Sequence, residues 1–129
     1  MKEKDFQSKF SKWLRYNWTN QCSARFELKL VNLSQTKTFN LKLLKDHQIQ
    51  ALSTKKLIYK IPDTGFQNPF DCLVMSQDAE GYLVIQFWKC AVKHFYMIPI
   101  ANIIKIKEEG TKSLNEAMCK HLGFTCSFK

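Results

Sequence analysis

The segment Arg25-Phe-Glu-Leu-Lys-Leu-Val31 alternates charged and apolar side chains one by one. Successive side chains of a strand point to opposite faces, so this period of two predicts a strand with two unlike sides. Phe26, Leu28 and Leu30 form an apolar side, and a helix packed on it is the expected cover. Arg25, Glu27, Lys29 and Val31 line the other side, with Glu27 and Lys29 roughly 7 Å apart along the strand. Any fold for this chain has to bury the first side and find partners for the polar groups of the second.

The remaining patterns supply the layers. Phe6, Phe10, Trp13, Leu14 and Asn17 recur at steps of three and four, which predicts a helix over 4–17 with Lys9, Lys12 and Arg15 on its wet face. Residues 34–40 read as a polar loop. A second helix is expected over about 41–53, with Leu41, Leu44, Gln48, Ala51 and Leu52 along one stripe. Leu57 to Ile61 reads as a short strand ended by the turn signal Pro62-Asp-Thr-Gly65. Pro69–Met75 and Tyr82–Trp88 read as two strands joined in a hairpin around Asp78-Ala-Glu-Gly81. Phe95–Ile100 is another strand, with Ile106 as its furthest extension. Ser113-Leu-Asn-Glu116 has the form of a capping box opening a helix to about Leu122. The expected architecture is α+β: one domain over 1–129, with a central mixed or antiparallel sheet flanked by helices.

Composition narrows the function classes. Hydrophobic residues make up 45% of the 129, with four Gly and three Pro, which excludes a disordered or linker-rich chain. No apolar run approaches the length of a membrane span, and MKEKDFQSKF carries no apolar signal core, so a cytosolic protein is expected. Five cysteines at irregular spacing read as reduced thiols. Cys119-x-His121 with Cys126, and Cys90 with His94, hint at zinc but lack paired CxxC spacing, so buried thiols are the expectation. The net charge of +9 is uneven: residues 1–60 hold thirteen basic and four acidic side chains, and residues 61–129 hold seven of each. A polyanion partner accounts for such a half, as does a solvated basic face.

Chemistry concentrates on the Glu27/Lys29 side. A carboxylate can hold Mg²⁺ while a neighbouring lysine orients water and offsets phosphate charge, which suits phosphodiester hydrolysis. The same pair is common as a plain ion pair on an exposed strand. Gln48 sits inside an apolar helix stripe, where a polar side chain needs a buried partner or a cavity. His47 at the stripe's edge has no second His or Cys at i+4, so a neutral helix-margin role is expected. Trp13, Tyr16 and Trp18 near Lys12 and Arg15 could stack on unpaired bases, although Trp13 reads as core.

Phe26-Glu-Leu-Lys29, Thr38-Phe-Asn-Leu41 and His47-Gln-Ile49 together resemble RecU-type Holliday junction resolvases of the PD-(D/E)xK nuclease superfamily. Tyr82–Phe87 and Phe95–Ile100 resemble that family's closing strands, and Tyr59–Asp63 with Pro69–Cys72 resembles small phage-type relatives. The resemblance covers most of residues 6–104. It implies a restriction-endonuclease-like core and a metal-dependent DNA endonuclease, with Glu27 as metal ligand, Lys29 as catalytic lysine and Gln48 beside them. The family's metal-binding Asp precedes its Glu-x-Lys strand, yet no carboxylate lies between Asp5 and Glu27. The expectation is therefore that a downstream acid completes the site: Asp71 first, Asp63 second, each otherwise suited to turn or strand-cap duty. A rival placement pairs Asp71 with Phe87-Trp-Lys89, where Phe87 stands at the carboxylate position and the site would be dead.

The expected cofactor is Mg²⁺, with Mn²⁺ in its place, and no small-molecule cofactor. Lys12, Arg15, Arg25, Lys42, Lys45 and Lys60 are the expected DNA contacts. A homodimer is expected for symmetric cuts of a branched junction, in the cytosol of a bacterium or a phage-infected host. A nuclease fold that binds without cutting, and a basic interaction protein, are the alternatives.

Overall fold

A computed structural model describes residues 2–17, 23–54, 56–62 and 72–128, with side chains of 23, 56–62 and 72–79 left aside. Two helix turns carrying Phe6 and Phe10 inward begin the fold: α1 spans Glu3–Asn17. The alternating segment forms strand β1, Ser23–Asn32. The short β2, Phe39–Asn40, leads into a 3-10 turn at Leu41–Leu43 and then helix α2, Asp46–Ser53. β3 (Lys56–Pro62), β4 (Cys72–Trp88) and β5 (His94–Pro99) follow. Helix α3 (Ile100–Glu108), β6 (Ser113–Leu114), helix α4 (Glu116–Leu122) and β7 (Phe124–Ser127) complete the order.

The main sheet is mixed. β1 lies parallel to the second half of β4, from Ser23 opposite Ala79 to Asn32 opposite Trp88. β5 runs antiparallel to β4, and β7 antiparallel to β5, giving the order β1-β4-β5-β7. β3 pairs antiparallel with the first half of β4, Pro62 opposite Cys72. A separate ribbon joins β2 to β6.

Each face of the sheet has its own core. On one, Phe6 and Phe10 of α1 pack with Val84, Phe95 and Met97, and Phe26, Leu28 and Leu30 of β1 join them. The apolar side of β1 therefore meets a helix, as its alternation predicts. On the other, Val31, Leu83, Ile85, Phe87, Tyr96 and Ile98 pack under residues from α2, α3 and α4. Helices cover both faces, and burial of this apolar surface is the main source of stability.

Four expectations need correction. Tyr82–Trp88 is not preceded by a hairpin at 78–81, because Cys72–Trp88 is one continuous strand. Gly81 serves a close approach instead: a Cβ there would stand 2.0 Å from the Leu52 carbonyl oxygen, so α2 can lie against β4 only over a bare Cα. The reversal falls later, where Val92 N–H donates to the Lys89 carbonyl at 3.0 Å and Ala91 adopts φ 69°. The strand after Phe95 stops at Pro99, and Ile103 and Ile106 lie on a helix, at the spacing that buries one helical face. Ser113 belongs to β6 and caps nothing; Asn115 is the N-cap of α4, its side chain accepting from Met118 N–H at 2.9 Å. The second helix is split, with α2 proper beginning at Asp46 after the 3-10 turn. None of the helices among the described residues is long and apolar enough to cross a membrane.

Candidate active site

Glu27 and Lys29 sit two residues apart on β1, on the side facing α2 rather than α1. The Lys29 ammonium lies 3.5 Å from Glu27 Oε1, with side chains 17% and 30% exposed respectively. Gln48, one turn into α2, donates from Nε2 to the same oxygen at 2.9 Å. Its own Oε1 accepts from the Lys45 backbone N–H at 3.0 Å. That second contact is one half of a capping box, the half a lysine at the N-cap allows, since an ammonium has no acceptor of its own. Gln48 thus ties the first turn of α2 to the carboxylate on β1, and the amide in the apolar stripe has both ends occupied.

The wall beside the carboxylate is dry. Leu83 and Ile85 are the register partners of Glu27 and Lys29 on β4, and both are fully buried. An ion pair next to apolar side chains is screened less than one in open water, which strengthens the attraction between Lys29 and Glu27. Glu27 Oε1 takes both contacts, and Oε2 has no partner among the described residues. An open carboxylate oxygen of this kind fits one position of a hard cation that prefers oxygen ligands. Among the described residues no group of three or more His, Cys, Asp or Glu side chains converges on a metal-binding point.

The other expected residues are distributed as follows. Asp63 and Asp71 lie outside the described residues. Their described neighbours Pro62 and Cys72 pair with each other at one end of the β3–β4 ribbon, whereas Glu27 pairs with Leu83, eleven residues further along β4. Phe87, the rival carboxylate position, is buried in the core. Arg25 is committed locally: its guanidinium donates to the Ala51 carbonyl at 2.8 Å and to the Thr54 carbonyl, at the C-terminus of α2. Lys42 and Lys45 are exposed on the helical layer that carries Gln48, and His47 is exposed beside them. Lys12 and Arg15 are exposed on α1, across the sheet from Glu27. Lys60 is on β3, and its side chain is not described.

The cysteine–histidine hint does not assemble. Cys119 is the buried residue of α4, in the core on one side of the sheet, whereas Cys126 packs on the α1 side. Burial, with the Glu116 carboxylate adding, pushes the Cys119 thiol up to about 12. Burial also raises the Cys126 thiol. The pattern gave no hint of the cluster that does form around Glu116. Its Oε1 lies 3.2 Å from His94 Nε2 and accepts from the Tyr96 hydroxyl at 3.4 Å. Reading Glu116 as the back-reaching half of a capping box concealed this, because a strand partner twenty residues upstream leaves no local signal.

Comparisons with protein-family models, with curated proteins and with solved structures find no match for this chain.

Proposed function

We propose that the chain is a PD-(D/E)xK-type, Mg²⁺-dependent DNA endonuclease with a restriction-endonuclease-like core, acting on branched DNA of the Holliday-junction kind. The observation that carries this reading is the meeting of Glu27, Lys29 and Gln48 at one carboxylate oxygen. Two residues of one strand and a third from a separate segment of sequence meet there on a half-buried strand with apolar neighbours.

In this reading Gln48 and Lys29 fix Glu27 through Oε1 and leave Oε2 facing outward. The Lys29 ammonium orients the attacking water and meets negative charge on the scissile phosphate. Bound Mg²⁺, or Mn²⁺, supplies the positive charge that offsets the phosphate's own. Glu27 would be one of the residues to hold it, with a second acid, Asp71 before Asp63, beside it. A homodimer with one site per copy suits symmetric cuts of a junction. Lys42 and Lys45 are the phosphate contacts nearest the site.

Cleavage of labelled four-way junction and linear duplex in Mg²⁺, Mn²⁺ and EDTA tests this. Wild type is expected to cut only with metal, and Glu27→Ala, Lys29→Ala and Asp71→Asn each to lose at least a hundredfold in rate. Metal-independent cutting, or full activity in Glu27→Ala, would sink the proposal. Glu27 is the one carboxylate that the described residues are seen to bring to this site, which favours one second reading, a nuclease-fold module that binds DNA without cutting. Salt-sensitive binding without cleavage in either metal would establish it.

A further inference from the structure

A second basic surface lies on the opposite side of the sheet from Glu27. Lys9, Lys12, Trp13 and Tyr16 fall at i, i+3, i+4 and i+7 of α1, which puts them on one helical face. With Asn17, Val92, Lys93 and Phe128 they line an open pocket of about 520 Å³. Its floor is rigid. Trp13 stacks on Phe10 with centroids 5.9 Å apart and meets the edge of Phe95 at 5.1 Å. Phe128 lies 4.6 Å from Phe95 and is held by its backbone N–H to the Lys93 carbonyl at 2.9 Å. Asn17 Nδ2 donates to the Trp13 carbonyl at 2.8 Å, closing the last turn. Tyr16, by contrast, is 78% exposed and has no ring partner among the described residues. Three lysines surround these rings, and none of the described lining residues is acidic.

We propose that this pocket holds an unpaired nucleotide of single-stranded DNA. A base stacks on a pre-fixed indole and under an exposed phenol ring, while the lysines take the flanking phosphates. Stacking platforms need aromatic faces whose orientation is set before binding, and Trp13 has that through Phe10 and Phe95. The turn that brings Lys93 to the rim is the one in which Ala91 adopts φ 69°. An acidic peptide would use the same lysines but would leave both rings without a flat partner. The pocket and Glu27 are on different faces of the sheet, so base binding here does not depend on the nuclease reading.

The test is fluorescence anisotropy of labelled dT10, an abasic ten-mer with the same phosphates, and a duplex, all in EDTA. Wild type is expected to bind dT10 about tenfold more tightly than the abasic strand, the order of one stacked base. Tyr16→Ala removes that preference without touching the core, a point checked by its thermal melt. Lys12→Gln with Lys93→Gln lowers the slope of log affinity against log salt by about 0.7 for each phosphate left without its lysine. The measurement is made in EDTA and needs no cleavage, so failure of the nuclease reading leaves this result standing. The proposal is overturned if the abasic strand binds as tightly as dT10, if Tyr16→Ala matches wild type, or if oligoglutamate displaces dT10 at equal charge.

Discussion

At the scale of single residues, Gly81 and Ala91 have exchanged the jobs that their residue types advertise. Glycine marks turns because it tolerates φ > 0, and an Ala in a Lys-Cys-Ala-Val run marks nothing. Here Gly81 is mid-strand, and its missing Cβ admits the Leu52 carbonyl, while Ala91 carries the positive φ. Gly81→Ala is accordingly expected to lose about 3 kcal/mol of unfolding free energy in urea, since backbone blocks the added methyl. Ala91→Gly is expected to gain about 0.5 kcal/mol, because relief of the left-handed strain exceeds the added unfolded-state entropy. The Glu27–Lys29–Gln48 contact was legible for a different reason. Two of its members share a strand face fixed by the period of two, and the third is a polar residue inside an apolar helical stripe. Each is a violation of pattern visible without knowing the fold.

At the scale of elements, the alternation of β1 predicted a helix on its apolar side, where α1 lies, and left the cover of its charged side open; the stripe over about 41–53 predicted one helix where a 3-10 turn and α2 stand. What sequence could not reveal was how these elements are tied. Arg25 reads as one more cation on a charged strand face, yet its partners are carbonyls 26 and 29 residues away. Those carbonyls end α2, where the last turn's unpaired oxygens and the negative end of the helix dipole favour a cation. Arg25→Gln is therefore expected to lose about 1 kcal/mol in chemical denaturation. The amide protons of the last α2 turn should exchange faster, and DNA affinity should fall less than for Lys42→Gln or Lys45→Gln. Equal stability with a large drop in affinity would instead return Arg25 to the DNA-contact set. The short strands β2 and β7 escaped notice because two to four residues are too few for a period to declare itself.

At the scale of the whole molecule, the sheet is a wall between two surfaces that carry lysines, one with the carboxylate and one with the aromatic pocket. The wall also sets an alkaline limit. Tyr96 is raised to about 12 by burial, with Glu116 contributing, and Cys119 likewise from about 9. Both groups are neutral when protonated, so above their unfolded values the unfolded chain releases protons that the native chain keeps. Their contribution is whole below about pH 9 and disappears as pH climbs toward 12. Urea midpoints should fall from about pH 9 upward, and Cys119→Ala should make the fall shallower between about pH 9 and 10, where Cys126 still contributes and before Tyr96 begins. A flat profile to pH 11 would show that neither group is shielded. The parallel pairing of β1 with β4 has a consequence in time. Its partners stand fifty-six positions apart, from Ser23 with Ala79 to Asn32 with Trp88. On a ribosome adding about 5–20 residues per second, β1 waits about 3–11 s for its sheet to exist. Through that interval only α1, made just before it, is on hand to lie against Phe26, Leu28 and Leu30. The order of elements along the chain thus gives the strand that bears Glu27 a chaperone of its own.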